Sequence, residues 1–93
     1  MSSQDNRDRI AQTWQEPAMI QIGKGGIADT LVKEAGRLLK KHHYIKVRML
    51  RSALESSSKD GLMNGLCEKT GATLAGIRGN TAVIYKTRAS QRG

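Results

Sequence analysis

The residues in this chain with the types and spacing to do chemistry are Gly23, Lys24, Gly25 and Gly26. They form a G-x-x-G turn between a short apolar run, Met19, Ile20 and Ile22, and a segment of helical period that begins at Ile27. Backbone N–H groups at the start of a helix have no internal partner and sit at the positive end of its dipole, so they can donate to a phosphate oxygen. Glycine lets that oxygen approach the main chain, and Lys24 adds a flexible positive charge. The same glycines also make a tight strand-to-helix connection, and taken alone the turn is compatible with either role.

Other reactive side chains lack partners. His42 and His43 are adjacent, so they leave the backbone in different directions, and no third ligand stands at metal-binding spacing. A place at a helix end or in solvent fits them better than a metal or general-base role. The single cysteine, Cys67, falls on an apolar stripe and reads as core rather than nucleophile; it also excludes an intramolecular disulfide and a Cys-rich zinc site. A reducing, cytoplasmic setting is expected, and no metal or cofactor. Gly23-x-Gly25-x-x-Ala28 matches the dinucleotide fingerprint, but Arg48 and Arg51 stand where an acidic residue should close the second strand. The chain is also too short for a doubly wound sheet, so no enzyme and no small-molecule substrate are expected.

Charge points to a polyanion. Sixteen Lys and Arg against eight Asp and Glu give +8, and the placement is uneven. Lys24, Lys33, Arg37, Lys40, Lys41, Lys46, Arg48 and Arg51 face only Asp29 and Glu34 in their window, which carries +6. A solvated helix face would also explain part of this run. No stretch approaches the roughly 20 apolar residues that cross a bilayer, and Met1 to Gln15 lacks an apolar segment, so neither membrane insertion nor secretion is expected.

The elements that position these residues follow from periodicity. Asp5 to Gln15 has helix potential, with Ile10, Ala11 and Trp14 on one side and Pro17 as terminator. Ala18 to Ile22 reads as a strand. From Ile27 to Lys41, Ile27, Leu31, Val32, Ala35, Leu38 and Leu39 form a helical stripe that leaves Lys33, Arg37, Lys40 and Lys41 outside it. Gly36 in that helix is expected to mark a close approach to a sheet. Tyr44 to Leu50 alternates, with Ile45, Val47 and Met49 on one face and Lys46 and Arg48 on the other. Ser57 and Asp60 resemble a capping box for a helix through Leu62, Met63, Leu66 and Cys67 that ends at Gly71. Thr73 to Arg78 and Thr81 to Lys86 make a hairpin about Gly79-Asn80, a pair suited to positive φ. The fold class is α+β, a single four-stranded mixed sheet with packed helices in the order α-β-α-β-α-β-β.

The order of these motifs resembles a known family. The apolar strand entering Gly23-x-x-Gly26, the helix, Ile45-Lys46-Val47, Gly71-Ala72, and Gly79-Asn80-Thr81 leading into Val83-Ile84-Tyr85-Lys86 are similar to the CRM domain, for chloroplast RNA splicing and ribosome maturation. Its free-standing bacterial members are the YhbY-like proteins. The resemblance covers residues 17–86, with 1–16 as an N-terminal segment and 87–93 as a basic flexible tail. It implies a fold similar to the C-terminal domain of translation initiation factor three. It also implies RNA binding through Gly23, Lys24, Gly25 and Gly26 with basic neighbours, here Lys33, Arg37, Lys40, Lys46 and Arg48, and association with ribosomal RNA or precursors of the large ribosomal subunit.

Rival binding classes fit less well. Trp14, Tyr44 and Tyr85 are the only aromatics, too few for the stacking platforms of RRM and OB modules. A KH domain would place G-x-x-G between two helices, whereas a strand precedes it here. An Alba-like chromatin protein shares a strand, glycine-lysine turn and helix, but needs long hairpin arms where this chain has a two-residue turn. A protein–protein adaptor would need an exposed apolar patch that the pattern does not supply.

Overall fold

The computed structural model describes residues 3–86, so the basic tail at 87–93 lies outside the described residues. The elements are α1 (Ser3–Trp14), β1 (Ile20–Ile22), α2 (Asp29–His42), β2 (Tyr44–Met49), α3 (Arg51–Leu54), α4 (Lys59–Thr70), β3 (Thr73–Arg78) and β4 (Thr81–Tyr85). The four strands form one mixed sheet in the order β1-β2-β4-β3. β1 runs parallel to β2, and the remaining pairs are antiparallel. This is the expected α+β fold, with the short helix α3 added after β2.

Alternation in the strands builds the core. Ile20 and Ile22 of β1, Ile45, Val47 and Met49 of β2, and Ala82 and Ile84 of β4 are buried on one face of the sheet. Ala35 and Leu39 of α2 and Leu62, Met63, Leu66 and Cys67 of α4 pack over them. Spacings of three and four residues put these helical positions on single stripes, which is why the sequence folds this way locally. Burial pushes the Cys67 thiol up to about 11, in keeping with a core residue rather than a nucleophile.

α1 packs on the opposite face of the sheet, against β2 and β4. There the Tyr44 hydroxyl donates to Asn6 Oδ1, and the Arg9 guanidinium lies 4.7 Å from the centre of the Tyr44 ring, which itself stacks on Tyr85. Val83, the register partner of Lys46, is fully buried on this side. The sheet therefore has helices on both faces.

Several local expectations are corrected. α2 starts at Asp29 rather than Ile27, because Gly26 takes φ +66 and Ala28 is extended. β1 starts at Ile20, although the Met19 amide already donates to the Lys46 carbonyl. The cap of α4 is Ser58, whose Oγ accepts from the Gly61 amide at 3.0 Å, and not Ser57. In the hairpin only Gly79 has positive φ, at +58; Asn80 does not share it.

Gly36 is not a point of close approach, since a Cβ built there meets nothing within 4 Å. Glycine inside a helix costs about 1 kcal/mol relative to alanine. Gly36→Ala is therefore expected to stabilise the protein by about 0.5–1 kcal/mol, read as a rise in the thermal midpoint of several degrees. An unchanged or lowered midpoint would show that the open space is needed.

Candidate nucleic-acid interface

The glycine turn sits at one end of the sheet. Gly23 accepts a hydrogen bond from the Gly26 amide at 2.9 Å, closing a four-residue turn with Lys24 and Gly25 at its tip. Both tip residues are exposed, and a Cβ on Gly25 would meet nothing within 4 Å. Among the described residues, the Lys24 and Gly25 amides make no hydrogen bond. Two amides without an internal partner, next to an exposed lysine side chain, are donors of the kind that receive an anionic oxygen.

The N-terminus of α2 contributes less than its position promised. Ile27 and Ala28 separate it from the turn, its N-cap is Ala28 without a capping side chain, and Asp29 occupies the first helical turn. The Asp29 carboxylate already complements the positive end of the helix dipole. The tip amides are thus better placed to receive an anion than those of the helix.

Neighbouring segments meet the turn at this end. The Leu50 amide donates to the Ile22 carbonyl at 2.9 Å, and the Met49 amide donates to the Asn80 carbonyl at 2.7 Å. The ends of β1 and β2 and the tip of the β3–β4 hairpin are thereby joined. Arg48, Arg51 and Arg78 are exposed there.

The nine residues expected to bind divide into three groups. Gly23, Lys24, Gly25 and Gly26 form the turn. Lys33, Arg37 and Lys40 are exposed along α2; at about 100° per residue Arg37 points directly away from Ala35 and Leu39, Lys33 points nearly so, and Lys40 lies at the flank, about 100° around the helix from Leu39. Arg37 also forms an ion pair with Glu34 at 2.7 Å, both partners being largely exposed. Lys46 and Arg48 project from the opposite face of the sheet. One straight strand of polymer cannot touch the second and third groups together.

Lys46 has a role that the sequence did not disclose. Its Nζ donates to the Trp14 carbonyl at 2.9 Å and the Glu16 carbonyl at 3.0 Å, so it caps the C-terminal end of α1 and ties that helix to the sheet. One of its three N–H donors remains for another acceptor. Lys86 acts similarly, donating to the Thr70 carbonyl at the end of α4 at 2.8 Å.

A shallow cleft of about 290 Å³ lies near the other end of α2, lined by Gly36, Leu39, Lys40, His43 and Lys86. It lacks the apolar enclosure of a small-molecule site. Among the described residues, no cluster of three or more His, Cys, Asp or Glu could hold a metal ion, and no helix is long and apolar enough to cross a membrane.

With the strand, G-x-x-G turn, helix and closing hairpin now placed in a single sheet, the family can be assigned. The sequence profile of the CRS1/YhbY (CRM) domain matches residues 1–86. The chain belongs to this CRM-domain family. The match includes the segment before Pro17, in accord with the packing of α1 on the sheet. The probable RNA-binding protein YqeI of Bacillus subtilis strain 168 is 32% identical over 68 residues, covering 73% of this chain and 69% of YqeI. Among solved structures, the hypothetical protein SAV1595 of Staphylococcus aureus, described as a candidate RNA-binding protein, superposes with a TM-score of 0.70 at 27% identity. That superposition covers 94% of this chain and 88% of SAV1595. This CRM domain therefore shares its architecture with SAV1595, and the names of both relatives refer to RNA.

Arg78 and Trp14 were not among the expected residues. The Arg78 guanidinium lies 4.6 Å from the centre of the Trp14 ring, a contact between residues 64 positions apart in sequence. The Gly79-Asn80 turn did place Arg78 opposite Thr81, but nothing local linked either residue to α1.

Proposed function

We infer that this protein is a non-enzymatic RNA-binding protein that holds the sugar-phosphate backbone at the Gly23–Gly26 turn. The observation that carries this reading is the turn tip, where the free Lys24 and Gly25 amides stand beside an exposed ammonium in a chain of the CRM family. Donors of this kind hold phosphate and read no base edge, so affinity should depend on shape and strandedness more than on sequence. The names of YqeI and SAV1595 support RNA as the polyanion. Lys33, Arg37 and Lys40 extend the positive surface from the turn along α2. In the cell the reading places the protein in the cytoplasm on precursors of the large ribosomal subunit. Co-sedimentation of the protein with those particles, lost on RNase treatment, is the expected result there.

The direct test is Gly25→Leu. The side chain would stand over the tip amides and block a phosphate, while the open space around Gly25 and its ordinary φ leave the fold undisturbed. Gly26 is a poorer choice, since its φ of +66 would strain any replacement. Gly25→Leu is expected to weaken RNA binding about tenfold, or about 1.4 kcal/mol, with an unchanged thermal midpoint. Full affinity in the folded variant would remove the turn as the grip.

An Alba-like DNA- or RNA-binding role is the alternative. The tight pairing of Arg78 with Thr81 across Gly79-Asn80 leaves no protruding arm to embrace a duplex. Competition by duplex DNA equal to that by structured RNA would favour it nonetheless.

A further inference from the structure

We propose that the row Gln21, Arg48, Thr81 and Arg78, on the sheet face opposite α2, is a second backbone-binding site onto which a single RNA strand continues from the glycine turn, with Gln21, Arg48 and Arg78 as its donors and Thr81, whose hydroxyl donates to the Arg78 carbonyl, as the spacer between the arginines. The proposal rests on the reading of that turn as a phosphate grip.

Strand register places these four residues side by side. Gln21 pairs with Arg48 across β1 and β2, Arg48 with Thr81 across β2 and β4, and Thr81 with Arg78 across β4 and β3. Three inter-strand steps of about 4.8 Å make a row about 14 Å long. Their neighbours Ile22, Val47, Ala82 and Ile77 turn to the core, so the row faces the side that carries α1.

α1 stops short of it. The helix covers the Tyr44–Tyr85 pair with Asn6 and Arg9, then the next row, Lys46, Val83 and Gly76, with Trp14. Beyond Trp14 the sheet face is uncovered, and Gln21, Arg48 and Arg78 are exposed. An uncovered face of this kind ordinarily carries mixed polar residues. This one carries two arginines and no acid, and among the described residues the only ion pair is the distant Glu34–Arg37.

Arg78 is also prepared for its ligand. The Trp14 ring beneath the guanidinium restricts its position, no side-chain hydrogen bond among the described residues occupies its N–H groups, and a planar fork of donors matches two phosphate oxygens. Less side-chain freedom is then lost on binding. Continuity completes the case, because Gln21 stands two residues before Gly23 and the Leu50–Ile22 and Met49–Asn80 hydrogen bonds draw the row and the turn to the same end of the sheet. A backbone leaving the turn on this side meets Gln21 and Arg48 first and Arg78 last.

The test compares two lengths of oligouridylate, about 12 and about four nucleotides, against the full chain by fluorescence anisotropy across a salt series. Arg48→Gln with Arg78→Gln is expected to weaken the longer RNA about tenfold and to shallow its log-log salt slope by about 1.4, two contacts at about 0.7 each. The shorter RNA, which fills only the turn, should lose little. Arg78→Lys keeps the charge without the fork and should fall between wild type and Arg78→Gln. Gly25→Leu should weaken both lengths. If the double glutamine variant binds the longer RNA with wild-type affinity and slope while Gly25→Leu weakens it, the row is overturned and the turn stands. If Gly25→Leu has no effect but the glutamine variant does, the turn reading fails while the row is supported as a site in its own right. Equal losses for both lengths in the glutamine variant would overturn the continuation from turn to row.

Discussion

Affinity for single-stranded RNA is expected to fall about 50- to 300-fold as monovalent salt rises from about 50 to about 200 mM. Each neutralised phosphate of a single strand releases counterions and contributes about −0.7 to the log-log slope, so four to six contacts give roughly −3 to −4. With the turn as the proposed grip, Lys24 would supply the first contacts, and the exposed Lys33 and Lys40 would supply further ones. Arg37 counts for less, because its ion pair with Glu34 must be given up before it engages a phosphate. Lys46 counts for less again, since two of its donors already serve the end of α1. Reversing the charges at Lys33 and Lys40 should reduce the slope by at least about 1.4 and weaken unrelated sequences alike, because phosphate contacts position a polymer without reading it. A loss confined to one base sequence would show that the stripe reads bases. A flat response to salt would favour a protein–protein role, and equal competition by duplex DNA would favour the Alba-like one.

How much of this was legible before the structure depended on the range of each interaction. The sheet strands, α2, α4 and the hairpin follow from periodicity within single segments, and Ile45, Val47, Met49, Leu39 and Leu66 are buried as their spacing requires. The glycine turn was visible because its signal is local. What escaped were effects of pairing between distant segments. Periodicity gave Lys46 and Arg48 the same face, yet only the course of α1 gives them different tasks, one capping a helix and the other exposed. Arg78 joins Arg48 only through two successive strand registers. Gly36 misled for the opposite reason: an unfavourable residue in a helix suggests a compelling contact, and here none exists. The Ser57 error is one of phase, since Ser57 and Ser58 both offer a hydroxyl and only the chain's approach to α4 decides between them.

The largest effect on stability is expected at Leu39, where truncation to alanine should cost about 2–5 kcal/mol. Leu39 is fully buried on the stripe of α2 that meets the sheet, one turn after Ala35, and its removal leaves a cavity that a rigid strand surface cannot close. A domain of this size is typically stable by about 5–14 kcal/mol, so the loss is a large share of the whole. At a urea dependence of about 1–3 kcal/mol/M the denaturation midpoint should fall by about 1 M or more with the slope preserved. Lys40, next in sequence and about 100° around the helix, is exposed, and Lys40→Ala should change stability by no more than about 0.5 kcal/mol. The two substitutions also separate folding from binding. The glycine turn lies at the opposite end of α2 from Leu39, so the folded fraction of Leu39→Ala should bind RNA with nearly the wild-type constant, whereas Lys40→Ala should keep its stability and lose the share of one phosphate contact in the salt slope. A stable Leu39→Ala protein, or a Lys40→Ala protein that unfolds, would mean that α2 is rotated about its axis from the orientation described, and the positive stripe on its outer face would move with it.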